Sequence, residues 1–173
     1  MNTTPAITSK SNRSWLKNGA QKGATLIEIL VAVLILSVGT LGMAGLQARA
    51  LKGNVSSLQR SQAVMLATYM MEMLRVDPNS AKALNYNTGT LNSNDEINGS
   101  IYNPDSITGN SLFDANRKLW LTAVKQNIGT INDTTTKGAI FCDAVGNCRV
   151  QVIWDDSLAG GLGAQKVEIR SSI

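Results

Sequence analysis

Histidine is absent from the 173 residues, and cysteine occurs only twice. Without an imidazole there is no Ser-His-Asp triad, no Cys-His pair and no His-Glu-x-x-His zinc site. Two cysteines alone supply too few ligands for a metal, and their spacing is not the Cys-x-x-Cys of a redox centre. No metal, cofactor or small-molecule substrate is expected, and the chain reads as a non-enzyme. Acidic residues are missing from one end. The first 23 residues contain Lys10, Arg13, Lys17 and Lys22 and no carboxylate, so of 16 basic residues 12 remain to face 12 acidic ones. The net charge of +4 and the pI near 9.2 therefore reside in that short leader. Bulk charge gives the remainder no support for direct nucleic-acid binding, which needs a basic folded surface. Asp155-Asp156 reads as a solvated pair at a strand end, and Gly160-Gly161-Leu162-Gly163 as a hairpin loop.

What the chain does have is one long apolar run. Ala24–Leu46 is interrupted by a single carboxylate, Glu28. At mid-membrane such a charge costs about 2.5–3.5 kcal/mol on insertion scales, and less near the interface. In the first turn of a helix the macrodipole returns about 0.3–1 kcal/mol. Gly23-Ala24 offers a small-residue processing point just before it. The leader cations hold the N-terminus in the cytoplasm by the positive-inside rule, opposed weakly by Arg49 and Lys52. An ordinary secretory signal fits less well, because its apolar core runs only about 7–15 residues. A plain single-pass anchor is the simplest competing reading.

Gly23 followed by Ala24-Thr25-Leu26-Ile27-Glu28 resembles the class III signal of type IV prepilins and pseudopilins. The resemblance implies cleavage by prepilin peptidase between Gly23 and Ala24, N-methylation of Ala24, and Glu28 as the fifth residue of the mature chain. It also implies that Glu28 is the subunit-assembly contact, paired with the cationic amine of a neighbouring subunit. A buried pair of this kind contributes register more reliably than stability. Two departures stand out: Ala24 replaces the usual Phe or Met, and a 23-residue leader is long for the short-leader pilins. The implied location is the inner membrane, single-pass with the head periplasmic, and afterwards the extracellular pilus.

Residues 24–76 read as one helix, membrane-spanning over 24–46 and amphipathic beyond. Leu51, Val55, Leu58, Met65, Leu66, Tyr69, Met73 and Val76 fall within about 100° on a wheel, with Gln62 among them. That stripe is expected to lie against a soluble domain at 77–173, while Met70 and Met71, off the stripe, are free to face a neighbouring subunit. Gly39, Gly42 and Gly45 fit either close helix packing or ordinary tolerance of glycine in membranes. Asp77-Pro78 ends the helix.

Residues 79–111 form a long connection with a short strand around Ile97–Tyr102. Asp114 is expected to N-cap a helix through about Ile128, with Leu119, Trp120, Ala123 and Val124 buried and Gly129 as its stop. Three strands follow, Gly138–Cys142, Arg149–Trp154 and Lys166–Arg170, paired antiparallel through short connections. Trp120 and Trp154 are expected in the core. Cys142 and Cys148 flank a hairpin turn in an oxidising compartment and are expected to form a disulfide. The fold class is α+β, a long N-terminal helical spine packed on a small antiparallel sheet.

The tail carries a second resemblance. Asp114, Trp120, a Gly/Cys strand and then Val150-Gln151-Val152-Ile153-Trp154-Asp155 resemble the PilV family of minor pilins, the type IV pilus modification proteins, although Ile128-Gly129-Thr130 stands where that family has a Leu-Pro-Gly turn. This resemblance implies a subunit that primes assembly and sits near the fibre tip. Its implied partners are other minor pilins, the major pilin, the inner-membrane assembly platform and a tip adhesin. The implied roles are in twitching motility, adhesion and DNA uptake. A type II secretion pseudopilin has the same N-terminal half, and a major pilin usually has Pro where Gly45 stands.

Overall fold

The computed structural model describes residues 23–157, 160–161 and 163–173. The leader cations Lys10, Arg13, Lys17 and Lys22 lie outside the described residues, as does Leu162. The chain divides into two compact units, the first ending at Gly42 and the second spanning Met43–Ile173. The first helix, α1, runs Leu26–Val76. Its N-terminal part is long and apolar enough to cross a membrane, and its side chains there are all exposed.

In the second unit, α1 is followed by a short helix α2 (Pro78–Lys82). The Asp77 carboxylate accepts from the Ser80 N–H at 3.3 Å, so the residue pair expected to stop α1 also caps the next turn. A two-residue hairpin, β1 (Thr90–Leu91) with β2 (Ile97–Asn98), comes next, then a 3-10 turn at Pro104–Ser106 and helix α3 (Leu112–Asn127). Strands β3 (Lys137–Cys142), β4 (Asn147–Asp155) and β5 (Ala164–Ser172) form an antiparallel meander in the order β3-β4-β5. The expected strand at Ile97–Tyr102 is shorter, because Gly99 at φ +136 turns the chain and only Ile101 bridges on to Gly138.

Four expectations need correction. Asp156, expected to be solvated beside Asp155, is buried and accepts from the Ser56 hydroxyl and the Gly163 N–H, each at 2.9 Å. The N-cap of α3 is Ser111, whose hydroxyl accepts from the Asp114 N–H at 3.3 Å; Asp114 sits in the first turn, and its carboxylate accepts from the Ser111 hydroxyl. Leu119 is exposed, and Leu121 takes its place in the core. The largest difference concerns α1. Leu51, Val55, Leu58, Met65, Tyr69 and Val76 are exposed, whereas Ala63, Leu66, Ala67, Met70, Met71 and Leu74 are buried. The packed arc is rotated about 120° from the apolar stripe at 3.6 residues per turn. Alanine carries little apolar area, but two alanines one turn apart let neighbouring elements approach the helix backbone. Met70 and Met71 fill the space beside them and are core residues, not surface ones.

Those helix residues share one core with Trp120, Leu121 and Val124 of α3 and with Ile140, Val150, Val152 and Trp154 of the sheet. The Trp120 indole donates to the Leu66 carbonyl at 2.9 Å. A Cβ on Gly138 would lie 2.4 Å from the same ring, so β3 meets Trp120 through bare backbone. The free edge of β3 is covered by residues 87–88. Asn87 donates to the Cys142 carbonyl and accepts from its N–H, and the Thr88 N–H donates to the Ile140 carbonyl.

Replacing Ala67 by Leu should destabilise the head by about 1–3 kcal/mol through overpacking. Leu58→Gln, on the exposed stripe, should stay within about 0.5 kcal/mol. Chemical denaturation of the detergent-solubilised chain measures both.

Candidate functional site

Residues 23–25 have no regular structure and are exposed, so the Gly23–Ala24 bond lies just ahead of the helix. Thr25 then starts the helix. Its hydroxyl accepts from the Glu28 N–H at 3.4 Å and its carbonyl accepts from the same N–H at 3.0 Å. Thr-x-x-Glu is the spacing of a capping box, a signal legible in the sequence. Glu28 itself is exposed, in the first turn, where the orphan N–H groups and the dipole favour an anion. Among the described residues Glu28 forms no ion pair.

In the second unit, Cys142 and Cys148 face each other across the β3–β4 register and are disulfide-bonded, with Cα atoms 4.1 Å apart. The turn between them is organised by Asp143, whose carboxylate accepts from the N–H groups of Val145, Gly146 and Asn147. Hydrogen bonds from the Asn147 side chain and N–H hold that carboxyl below its usual range. The disulfide closes a turn that is already tightly bonded.

Two charged clusters were not read from the sequence. The tip of the β1–β2 hairpin is held to the sheet by Asp95, which pairs with Arg149 at 2.7 Å and Arg170 at 3.1 Å. Nothing in the local pattern signals this, since the partners are separated by 54 and 75 residues. The second cluster was signalled. Trp120, Leu121, Val124, Lys125 and Ile128 follow helical core spacing, and Lys125 is fully buried with them. Its ammonium donates to the Asp133 carbonyl and lies 3.5 Å from the Asp133 carboxylate. Burial pushes the Asp133 carboxyl up, but N–H bonds from Thr130 and Thr136 and the Lys125 charge outweigh it and hold the pKa at about 2. No group of three or more metal-ligating side chains occurs among the described residues.

A long apolar N-terminal helix followed by a small antiparallel sheet is a pilin-like α+β fold. Comparison with protein families agrees. Residues 18–44 match the prokaryotic N-terminal methylation motif, and residues 45–99 match the family of type IV pilin Tt1218. The first match contains Gly23, Ala24 and Glu28. The second begins at the very next residue and extends through α2 to the end of the β1–β2 hairpin. No curated protein and no solved structure matches the chain.

Removing the disulfide with Cys142→Ser and Cys148→Ser should lower stability by about 2 kcal/mol, the loop-closure value for so short a ring. Comparing denaturation midpoints with and without reductant checks this. Asp133 has a folded pKa below its unfolded value, so its contribution is complete above the unfolded pKa and fades as pH falls through about 2. The stability gap between wild type and Asp133→Asn should therefore be constant above about pH 5 and close between about pH 4 and 2, as followed by denaturation at stepped pH.

Proposed function

We propose that this chain is a minor type IV pilus subunit. It inserts with its N-terminus in the cytoplasm, and prepilin peptidase trims it between Gly23 and Ala24. The observation that carries the reading is the methylation motif over 18–44 running directly into a type IV pilin match over 45–99, their junction falling within α1. Trimming would leave Ala24 as a new cationic amine four residues before Glu28, and its N-methylation would preserve that charge. In the apolar interior of a fibre, Glu28 would then be satisfied by the amine of an adjacent subunit. That pairing would fix the axial register between subunits, since a mispaired carboxylate in such surroundings bears the full desolvation cost.

The PilV-like pattern across 114–155 supports the finer assignment: priming of the fibre with other minor pilins, a position near the tip beside an adhesin, and support of twitching motility, adhesion and DNA uptake. The head's contribution is then a surface, not a reaction centre. A type II secretion pseudopilin shares the N-terminal features and is separated from this reading by where the processed chain is found.

The test is the intact mass of the chain in sheared surface filaments and in membranes, for wild type and Glu28→Ala. A filament species beginning at N-methylated Ala24 is expected for wild type. The variant should be trimmed but remain in the membrane. Normal incorporation of Glu28→Ala into filaments would sink the pairing role. A trimmed wild-type chain confined to the envelope would favour the pseudopilin, and an untrimmed chain would leave only the anchor.

A further inference from the structure

We infer that residues 89–99 form a hinged strap, latched by charge across the outer face of the sheet and able to lift from it. Strand alternation identifies that face. Ile140, Val150, Val152 and Val167 belong to the core shared with the helices. Ala139, Gln151 and Glu168, which stand side by side on β3, β4 and β5, therefore point the other way. Ala139 and Gln151 are nevertheless only 1% and 3% exposed, so that face is covered. The β1–β2 hairpin crosses it. Its ends leave the edge of β3, where the Thr88 N–H donates to the Ile140 carbonyl and Ile101 exchanges backbone hydrogen bonds with Gly138. Its tip reaches the far strand, β5, where Asp95 and Glu96 meet Arg170 and Lys166.

Two features make the strap separable from the sheet. Its ends are glycines packed against each other: a Cβ on Gly89 would lie 2.8 Å from Gly99 Cα, and Gly99 sits at φ +136. Bare backbone on both arms is the most freely rotating pivot a chain offers. Between the two glycines the only apolar side chains are Leu91 and Ile97, both half-buried.

The grip at the tip is ionic. Asp95 lies 2.7 Å from Arg149 and 3.1 Å from Arg170, and Glu96 lies 3.6 Å from Lys166. The Arg149 guanidinium also donates to the Asp95 carbonyl at 2.9 Å. The Asn92 side chain accepts from the Asn94 and Glu96 N–H groups, which fixes the turn and presents both acids together. Glu168, between Lys166 and Arg170 on β5, is bonded to Gln151 and Arg170. Asp95, Glu96, Lys166 and Arg170 are all exposed, so dissolved salt screens the pairs they make. The latch is thus set by ionic strength. Lifting bares Ala139 and Gln151 together with Phe141 and Ile153, their neighbours on the same face. The device belongs to the head and does not depend on the pilus reading.

The test digests the full-length chain in detergent with endoproteinase Glu-C and follows the cut after Glu96 by mass spectrometry. Rates are normalised to an unstructured peptide of the same local sequence, which removes the effects of salt and substitution on the enzyme. Such rates track the population of the open form. Wild type should be cut about 5-fold faster in about 1 M than in about 0.1 M NaCl, as the screening length falls from about 10 to about 3 Å. Asp95→Asn removes two of the three pairs and keeps a residue suited to φ +60. It should be cut about 5-fold faster than wild type at the lower salt, and respond less to added salt. Hydroxyl-radical labelling of Phe141 and Ile153 should rise in step, while that of the core residue Trp120 stays constant. Equal rates for wild type and Asp95→Asn would overturn the latch. Faster cutting with unchanged labelling of Phe141 and Ile153 would confine the motion to the tip and overturn the strap. A parallel rise at Trp120 would assign the effect to general unfolding and overturn it as well.

Discussion

The head depends on one buried side chain, Trp120. Its ring lies between the backbone of β3 at Gly138 and the arc of α1 around Leu66, and its indole N–H is satisfied by a helix carbonyl. Burying so large a ring supplies apolar area matched among the described residues of this aromatic-poor chain only by Trp154. Its requirements propagate outward. Gly138 must lack a side chain, because a Cβ there would lie 2.4 Å from the ring.

Much of this architecture was legible from pattern alone. The three strands alternate or run apolar at the right lengths, and Val150, Val152 and Trp154 share the buried face that their spacing implied. The strand ends extend further than apolar residues indicate, because ladder hydrogen bonds continue through Arg170, Ser171 and Ser172 regardless of side-chain polarity. The rotation of α1 was not legible. Periodicity weights residues by hydrophobicity, and by that measure Leu51, Val55, Leu58 and Tyr69 outrank Ala63 and Ala67. Packing weights them by the distance of approach they permit. The cap of α3 was misplaced by the same kind of ambiguity, since Ser111 and Asp114 are both good capping residues and only geometry ranks them.

For the N-terminal group, sequence and structure contribute different things. The motif around Gly23 is chemical and is read directly. The structure adds that the bond between Gly23 and Ala24 precedes the first helical residue, and that Thr25 accepts from the Glu28 N–H at the helix start. The Asp95 clamp and the Lys125–Asp133 pair are long-range or loop-dependent arrangements, and no local spacing encodes the first of them. Two exposed surfaces remain on α1 in its second half. One is the apolar stripe at Leu51, Val55, Leu58, Met65 and Tyr69; the other is the cationic groove at Arg49 and Lys52. They differ in chemistry, one apolar and one cationic.

The glycines of the apolar run turn that distinction into a usable sign. A Cβ built on Gly39, Gly42 or Gly45 meets no atom within 4 Å. Within one chain, alanine at these positions therefore gains helix stability of about 1 kcal/mol and clashes with nothing. Benefit alone and harm together are then possible at the same residue. Any loss of function on adding a single methyl group there reports a surface belonging to another molecule, which makes these three positions internal gauges of crowding around the helix.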